Sequence, residues 1–252
     1  MARRWAPVVE ATEKFTVLRD PERPSGRLLR QGGMDASYVD LADPSHLEFD
    51  YLRWLRAVVE AAGARHVVHV GGAACALARA LAAARPGELQ EVVEVDPDVL
   101  DISRRYLGLR RMPGLRVRAG EGRAVLAGRA PGSVDAVVVD AFVGARVPRD
   151  LVTVEAFAAF ARVAALVAVN VVDAKPLAEA AAMAAGLAAA FPHVLAAGPG
   201  AVVARRRGGN VILVGSRAPL PLERLHARLA ADPSPAVAAA FATGGVPPFR
   251  DG

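Results

Sequence analysis

Cysteine and aromatic residues are scarce in this sequence. Among its 252 residues there is one cysteine, Cys75, and only 5% of the residues are aromatic. A single thiol excludes an internal disulfide framework and is typical of a reducing compartment. Because large aromatic side chains are few, alanine and valine must build the core, and these small side chains favour close packing of helices against a sheet.

Long uninterrupted hydrophobic runs are absent as well. The main apolar stretches, 156–172 and 177–191, contain charged residues such as Arg162 and Glu179, so neither predicts a membrane span. Residues 1–4 run directly into polar sequence, without the apolar region of a signal peptide. We therefore expect a soluble cytoplasmic protein with no membrane partner.

Lysine is almost absent, so arginine carries nearly all of the positive charge. The formal net charge is +5, and that value alone favours an anionic partner such as nucleic acid. The arginines are spread along the whole chain, however. The one dense run, 205–207, precedes Gly208 and Gly209, where we expect a solvated turn at the tip of a hairpin. We therefore predict no nucleic-acid partner.

No set of histidine, cysteine and carboxylate residues has the spacing of metal ligands, so no metal is expected. His66 and His69 lie in an apolar stretch, which favours packed core residues over a general base. Cys75 follows a glycine turn at the predicted start of a helix. We interpret it as a small buried residue, and the alternative is a thiol activated by the helix dipole.

The stretch 66–96 is the part around which the rest of the chain is organised. A β-branched run meets Gly71 and Gly72, an alanine-rich helical segment follows, and 92–95 resume the strand pattern. Such a βαβ unit brings the turn after its first strand and the end of its second strand to one carboxyl edge. The glycines let backbone approach a ligand, and Glu94 is expected to accept hydrogen bonds from two ribose hydroxyls. The unit predicts an adenosine site.

The beginning of the chain predicts a small antiparallel β-domain. Short strand-like pieces, FTVLRD, GRLLR and SYVDL, are separated by the turn-rich segments PERPSG and QGGMD. We therefore divide the chain into an N-terminal β-domain, 1–45, and a larger Rossmann-like domain, 46–252.

Residues 46–62 predict a helix that leads into the first parallel strand. Apolar residues recur at helical spacing at Leu47, Tyr51 and Leu55, and the pattern ends at Gly63.

Acidic residues follow the later strands. The segment VDAVVVDAF has the continuous apolar run of a strand that is covered on both faces, and it ends in Asp140. Asp140 and Asp173, which ends the next strand, are each either a substrate contact or the cap of a loop or helix. A short strand at 115–119 is followed by Glu121 and Gly122, which we expect beside an adenine ring.

The element order distinguishes this chain from a nicotinamide dehydrogenase. Five helix-linked parallel strands precede two β-rich pieces, 194–204 and 211–215, which predict an antiparallel hairpin. The glycine motif GGAACA is a relaxed form of the G-x-G-x-x-G that seats a pyrophosphate, and an S-adenosyl compound has no pyrophosphate. The predicted fold is α/β: a class I methyltransferase-like Rossmann fold with a mostly parallel sheet and a C-terminal antiparallel hairpin, preceded by the small N-terminal β-domain.

This combination resembles the spermidine synthase (polyamine aminopropyltransferase) family over most of the chain. The likeness rests on the N-terminal β-domain, on HVGGAACA at the family's glycine-rich loop, and on VVEVD, GEGRAVL and VDAVVVDAF. It implies transfer of an aminopropyl group from decarboxylated S-adenosylmethionine to a small amine, with methylthioadenosine as the product. The family is often dimeric through its N-terminal region, so FTVLRD is a candidate edge strand for a homodimer.

The resemblance also implies roles for single residues. Glu94 would hold the ribose, Glu121 and Gly122 would meet the adenine, and Asp140 would line the reaction site. Tyr38, in SYVDL, is similar to a tyrosine of the family's N-terminal gate. The predicted set is Asp140, Tyr38 and Asp173 for catalysis, and Gly71, Gly72, Ala73, Glu94, Val95, Glu121, Gly122 and Asp140 for the donor.

Two positions depart from the family pattern. Ala74 stands where the glycine-rich loop has an Asp, and the catalytic strand, D-S-S-D-P in the family, continues here as Asp140-Ala-Phe-Val143. The missing acids would hold ammonium groups and accept the proton of the attacking amine. These departures count against orthodox transfer to putrescine. The alternatives are methyl transfer from S-adenosylmethionine to a small molecule, which leaves S-adenosylhomocysteine, and a non-catalytic scaffold of the same fold.

Overall fold

The computed structural model describes residues 8–252. Residues 1–7, with the prediction about a signal peptide and the start of the predicted N-terminal domain, lie outside the described part. A four-stranded antiparallel sheet comes first, in the order β1-β2-β3-β4. Its strands are β1 (Val8–Ala11), β2 (Phe15–Arg19), β3 (Gly26–Gln31) and β4 (Met34–Asp40). The predicted domain boundary at 45/46 falls in the connection after β4 and stays a prediction.

The segment FTVLRD contains β2, which is an inner strand of this sheet. β1 pairs with one of its edges, from Val8 opposite Leu18 to Ala11 opposite Thr16, and β3 pairs with the other. Both rows of its backbone hydrogen-bonding groups are therefore used within the chain. The prediction that FTVLRD adds an edge strand to a partner is wrong. The covering strand β1, VVEA, has only four residues and does not alternate apolar with polar side chains, so the period-2 pattern does not reveal it.

The second sheet carries the predicted α/β fold. It has eight strands in the order β12-β10-β11-β9-β8-β5-β6-β7. Its strands are β5 (His66–Gly71), β6 (Leu89–Glu94), β7 (Leu115–Ala119), β8 (Val134–Asp140), β9 (Ala164–Asp173), β10 (His193–Gly198), β11 (Gly209–Ser216) and β12 (Val237–Ala239). Strands β5 to β9 are parallel, as in a class I methyltransferase-like Rossmann fold. The strand order reverses between β5 and β8, which is where open α/β sheets bind ligands.

Helices cover both faces of this sheet. They are α1 (Asp50–Ala61), α2 (Ala76–Ala84), α3 (Pro97–Tyr106), α4 (Gly122–Ala127), α5 (Val154–Val163), α6 (Ala178–Ala190), α7 (Gly200–Val203) and α8 (Leu222–Ala230), with a 3₁₀ turn at Arg149–Leu151. Thr153 caps α5 by accepting the Ala156 N–H at 3.1 Å. No helix within 8–252 has both the length and the hydropathy that crossing a bilayer requires.

Helix α1 begins later than the sequence pattern predicts. The apolar spacing predicts a start at residue 46, whereas the helix begins at Asp50. Arg53 donates to the carbonyl oxygens of Leu47 and Glu48 at 2.9 and 2.8 Å. These bonds fix the preceding segment in a non-helical conformation.

The predicted C-terminal hairpin differs at its tip. β10 and β11 pair antiparallel, from His193 opposite Ser216 to Ala197 opposite Ile212, but the short helix α7 lies between them. Arg205, in this connection, donates to the carbonyl oxygens of Pro176 and Ala242. Arg205 is therefore tied to neighbouring segments, whereas Arg206 and Arg207 are exposed. The prediction of a simple hairpin tip is wrong because α7 replaces it, but two of the three arginines do face solvent.

Candidate active site

The carboxyl ends of β5 and β8 meet at the centre of the large sheet. Gly71 pairs with Asp140, and a Cβ atom added at Gly71 would lie 2.7 Å from the Asp140 carbonyl oxygen. The φ angle of Gly71 is 78°, which side chains of L-residues rarely adopt. Glycine at this position therefore allows the two strands to come together at the predicted ligand edge.

The loop after β5 continues in left-handed conformations. Gly72 has a φ angle of 98°, Ala73 of 45° and Cys75 of 61°. A Cβ atom at Gly72 would face open space, so this part of the loop is accessible from outside. Positive φ at residues other than glycine costs free energy, and such conformations cluster at ligand sites.

Cys75 is a buried residue at the end of this loop. Its Sγ lies 3.6 Å from the Ala73 carbonyl oxygen. Burial raises the pKa of the thiol to about 12, and the nearby Arg79 charge offsets this only in part. The interpretation as a small buried residue is confirmed, because a thiol with so high a pKa is protonated at neutral pH.

Glu94 ends β6, beside the glycine loop. Its Oε1 accepts the Asp96 N–H at 3.0 Å, and the N–H groups of Val95 and Ala73 also donate to the carboxyl group. Burial raises its pKa. The next residue, Val95, is 69% exposed. The edge therefore presents an oriented carboxyl group next to an exposed apolar side chain.

Glu121 and Gly122 lie at the start of α4. Glu121 caps this helix, because its carboxylate oxygens accept the N–H groups of Arg123 and Ala124 at 2.7 and 2.6 Å. A Cβ atom at Gly122 would lie 2.3 Å from Val70 Cγ1, so glycine lets the helix pack on β5. Contact with an adenine ring stays a prediction for this pair, and the Glu121 carboxylate is already used by the helix.

Asp140 is the half-buried carboxyl group at the centre of the edge. Asn170 Nδ2 donates to its Oδ1 at 2.9 Å, and the hydroxyl of Tyr51 donates to the same carboxyl group. Burial raises the pKa of Asp140 to about 6, and the negative charge of Glu94 adds to this rise. A carboxyl group with this pKa is mostly ionised at neutral pH and takes up a proton easily.

Sequence reasoning missed Tyr51 as a site residue, because it occupies one of the apolar positions of the helical pattern. Burial and the charge of Asp140 raise the pKa of its hydroxyl far above the ordinary value. A usable indication was present. A helix that directly precedes a strand runs antiparallel to it, so the first turn of α1 is expected near the carboxyl edge of the sheet, where Tyr51 lines the same cavity as Gly71.

Tyr38 and Asp173, two of the predicted catalytic residues, are not brought to Asp140 by any contact that the structure records. The Tyr38 hydroxyl donates to Asp20 Oδ2 at 2.8 Å, inside the N-terminal sheet, where the ring is fully buried. Asp173 accepts the Ala180 N–H at 3.0 Å, at the start of α6. Of the two roles left open for Asp173, the structure supports the helix cap. A catalytic role for Tyr38 stays a prediction, and the tyrosine that donates to Asp140 is Tyr51.

The two positions that depart from the family pattern have ordinary surroundings. Ala74 is fully buried in the core. Val143 is 76% exposed and lies in a turn in which its N–H donates to the Arg146 carbonyl oxygen at 2.9 Å. Neither position carries a group that interacts with an amine.

A small cavity adjoins Asp140, between β5, α1, α2 and the N-terminal sheet. Its lining includes Ser37, Tyr51 and His69, and its volume is about 10 Å³, near the space of one water molecule. His69 pairs with Gln90 at 2.9 Å, and burial lowers its pKa to about 4. This confirms a packed core histidine. Because the cavity is so small, substrates would have to bind at the open edge beside it.

Metal ligation has no visible basis in the described part of the chain. Across residues 8–252, histidine, cysteine, aspartate and glutamate side chains form no group of three that could hold an ion.

Comparison with protein-family models gave no match, and neither did comparison with curated proteins. Solved structures do match. A probable spermidine synthase from Corynebacterium glutamicum superposes with a TM-score of 0.87 at 28% identity, covering 98% of this chain and 96% of that one. A spermidine synthase in complex with the transition state analogue AdoDATO gives a TM-score of 0.61 at 14% identity, covering 90% and 78%.

The fold extends to methyltransferases. Human methyltransferase-like protein 13, in complex with SAH, gives a TM-score of 0.56 at 20% identity, covering 70% of this chain and 86% of that one. The similarities to the AdoDATO complex and to the methyltransferase concern the fold alone. The Corynebacterium structure, in contrast, matches nearly all of both chains. This chain is therefore similar to a probable spermidine synthase over nearly its whole length, with a methyltransferase-type Rossmann sheet and an antiparallel sheet before it.

Proposed function

We propose that this chain is a transferase that takes an S-adenosyl donor and moves its aminopropyl group to a small amine at Asp140. The observation that supports this best is the meeting of three features at one sheet edge. These are the glycine loop with Gly71 and Gly72, the Glu94 carboxyl group, and the hydrogen-bonded pair of Asp140 and Tyr51. Two proteins of similar fold hold the transition state analogue AdoDATO and SAH, respectively.

The residues of the edge fit an adenosyl group. The open space above Gly72 leaves room for backbone contact. Glu94, held by three backbone N–H donors, keeps acceptor capacity for ribose hydroxyls, because each carboxylate oxygen accepts more than one bond. The exposed side chain of Val95 offers an apolar surface to an adenine ring. Decarboxylated S-adenosylmethionine is our preferred donor, and S-adenosylmethionine is the alternative.

The donor's sulfonium supplies a carbon atom that is already activated for attack, so the protein mainly positions the acceptor. The amine nitrogen forms a bond to this carbon, and the carbon–sulfur bond breaks with its electron pair left on sulfur. Asp140 attracts the cationic amine and takes the proton that the nitrogen gives up. The Tyr51 hydroxyl, donating to the same carboxyl group, holds it in place.

Calorimetric titration tests the proposal. Decarboxylated S-adenosylmethionine and methylthioadenosine should bind more tightly than S-adenosylmethionine and S-adenosylhomocysteine. Glu94→Ala should lower the affinity for every adenosyl compound by about tenfold to a hundredfold, because hydrogen bonds to a charged group are lost. The control is Glu223→Ala, which removes an equal charge at an exposed position of α8 and should leave affinity unchanged.

Each other outcome of the titration has a defined meaning. If no adenosyl compound binds, the proposed function is wrong and a non-catalytic scaffold is the better account. If binding occurs but Glu94→Ala leaves it unaltered, the donor site has been assigned to the wrong residues.

Methyl transfer is the second candidate, and Ala74 favours it. A buried methyl group at this position stands where the resembled family has a carboxylate for the donor's amine. S-adenosylmethionine differs from the decarboxylated donor at that end. Tighter binding of S-adenosylmethionine and S-adenosylhomocysteine in the same titration would replace aminopropyl transfer with methyl transfer.

A further inference from the structure

A row of polar side chains crosses the large sheet beside Asp140. The register of β8 and β9 sets Asp140 next to Asn170, and Asn210 lies on the adjacent strand β11, opposite Val172. Asn170 Nδ2 donates to Asp140 Oδ1 at 2.9 Å, and Asn210 Nδ2 donates to Asn170 Oδ1 at 3.1 Å. The three side chains therefore form one hydrogen-bonded row.

The row has a fixed direction. A side-chain amide has one acceptor end and one donor end. Because the ionised carboxyl group of Asp140 can only accept, the donor end of Asn170 faces it, and the acceptor end of Asn170 is left to accept from Asn210. The reversed amide would set oxygen against oxygen at Asp140 and nitrogen against nitrogen at Asn210.

Asn170 has no access to water that could replace these bonds. It is 1% exposed, and its strand neighbours Val169 and Val171 are buried core residues. An amide in such surroundings costs free energy unless it is hydrogen-bonded, and an apolar side chain would fill the position without that cost. The bonds of this amide lead to Asn210 on one side and to the candidate catalytic carboxyl group on the other.

Hydrogen-bond donors oppose the effect of burial on Asp140. Burial and the charge of Glu94 raise its pKa, whereas the bonds from Asn170 and Tyr51 lower it. The titratable groups that face Asp140 are Tyr51 from α1 and Glu94 from β6, and the adjoining cavity is lined by His69 from β5 and Cys75 at the start of α2. Of the two donors to Asp140, Asn170 is the one that does not titrate, so its contribution does not itself change with pH.

We propose that Asn170 and Asn210 are positioning residues that keep the Asp140 carboxyl group ionised and fixed in orientation for the acceptor amine. Asn170 acts directly on Asp140, and Asn210 acts through Asn170. The consequence for transfer rests on the proposed function. The effect on Asp140 itself is independent of which reaction the site performs.

The test measures the pKa of Asp140 by carbon-13 NMR of labelled aspartate, with Asp140→Asn to assign the signal. Asn170→Leu should raise this pKa by about one unit or more, the equivalent of one hydrogen bond to a charged group. Asn210→Leu should raise it less. The double variant should match Asn170→Leu alone, because Asn210 acts through Asn170.

A matched control is the buried Ser216 of β11, whose hydroxyl donates to the Ala218 carbonyl oxygen at 2.8 Å. Ser216→Ala also removes a buried hydrogen bond from the sheet, and it should leave the pKa of Asp140 unchanged. Asn210 is only half-buried, so Asn210→Leu keeps the test available if Asn170→Leu does not fold.

The outcomes separate this proposal from the proposed function. An unchanged Asp140 pKa in folded Asn170→Leu overturns the positioning role, whether or not adenosyl compounds bind. A raised pKa in a protein that binds no adenosyl compound supports the positioning role and rejects the transferase. Where transfer is measurable, the acid limb of kcat/KM should move upward by the same number of pH units as the pKa.

Discussion

At the scale of single residues, the candidate site depends on one carboxyl group with an unusual pKa. Asp140 lies at a strand end where burial raises its pKa to about 6 while two neutral donors hold it. An acid of this kind exchanges protons near neutral pH, which suits a group that must attract and then deprotonate an amine. Its character comes from its surroundings rather than from the residue type.

The pH dependence of transfer should report this group. Activity requires ionised Asp140, whose pKa is raised to about 6, so kcat/KM should be constant well above pH 6 and fall about tenfold per pH unit below it. A steady-state pH series on the wild-type protein measures this limb. If kcat/KM instead begins to fall only near pH 4, the base is an ordinary carboxylate elsewhere in the protein.

Tyr51→Phe tests the second donor. Loss of the hydroxyl should raise the Asp140 pKa and slow transfer by about tenfold to a hundredfold, since a bond to a charged group is lost. Tyr106→Phe is the matched control, because the Tyr106 hydroxyl also donates to a carboxylate, Glu10, at 2.6 Å but on the surface of α3. If the two variants transfer at the same rate, the proposed role of Tyr51 in the site is wrong.

At the scale of elements, glycines decide how closely the pieces of the site approach each other. Gly71 lets β5 meet β8, and Gly122 lets α4 pack against Val70 of β5. The sequence indicated that both lie at the carboxyl edge, because a glycine turn after a strand is visible as a pattern. It did not indicate that Gly122 is needed for packing, since the atom it avoids belongs to a residue far away in the chain.

Gly122→Ala should destabilise the fold. Its Cβ atom would lie 2.3 Å from Val70 Cγ1, and such overpacking typically costs about 1–3 kcal/mol in the free energy of unfolding. Gly128→Ala, just after the same helix, is the control, because its nearest neighbour would be 3.8 Å away. Denaturant unfolding measures both.

Relief of the clash gives this prediction a second check. The double variant Val70→Ala/Gly122→Ala should be more stable than the sum of the two single effects, because the smaller side chain makes room for the new methyl group. If the losses in unfolding free energy of the two single variants simply add in the double variant, the destabilisation by Gly122→Ala does not come from contact with Val70.

At the scale of the whole molecule, buried titratable groups set the dependence of stability on pH. His69 has a folded-state pKa lowered from 6.5 to about 4, so its stabilising effect is present above pH 6.5 and is lost as the pH falls toward 4. Asp140 acts in the opposite sense. Its pKa is raised from 3.8 to about 6, so its contribution favours folding at low pH and is lost as the pH rises through 6.

His69→Gln should remove the part of the acid sensitivity of stability that His69 contributes. The amide nitrogen of Gln can replace Nε2 as the donor to Gln90, without a proton to gain. Between pH 6.5 and 4 the wild-type protein should lose about 3 kcal/mol of unfolding free energy through His69, by the linkage of the pKa shift. Urea unfolding at several pH values measures the difference, and parallel curves for the two proteins would contradict it.

The sequence alone determined the fold class and the edge at which the site lies. Strand periodicity, the glycine turn and the acids at strand ends are local properties, and right-handed crossovers then bring the ends of β5, β6 and β8 to one side. Glu94 and Asp140 were found in this way, since each ends a strand.

Tertiary structure alone decided which groups surround Asp140. Tyr51, Asn170 and Asn210 lie on three elements that are far apart in the chain, and their hydrogen bonds depend on helix docking and strand register. The same reason explains why two expectations could not be checked in the sequence. Tyr38 donates to Asp20 inside the N-terminal sheet, and β1 pairs with the edge of β2 that was expected to be free. Local patterns carry strand ends and turns, whereas partners across a sheet exist only once the chain has folded.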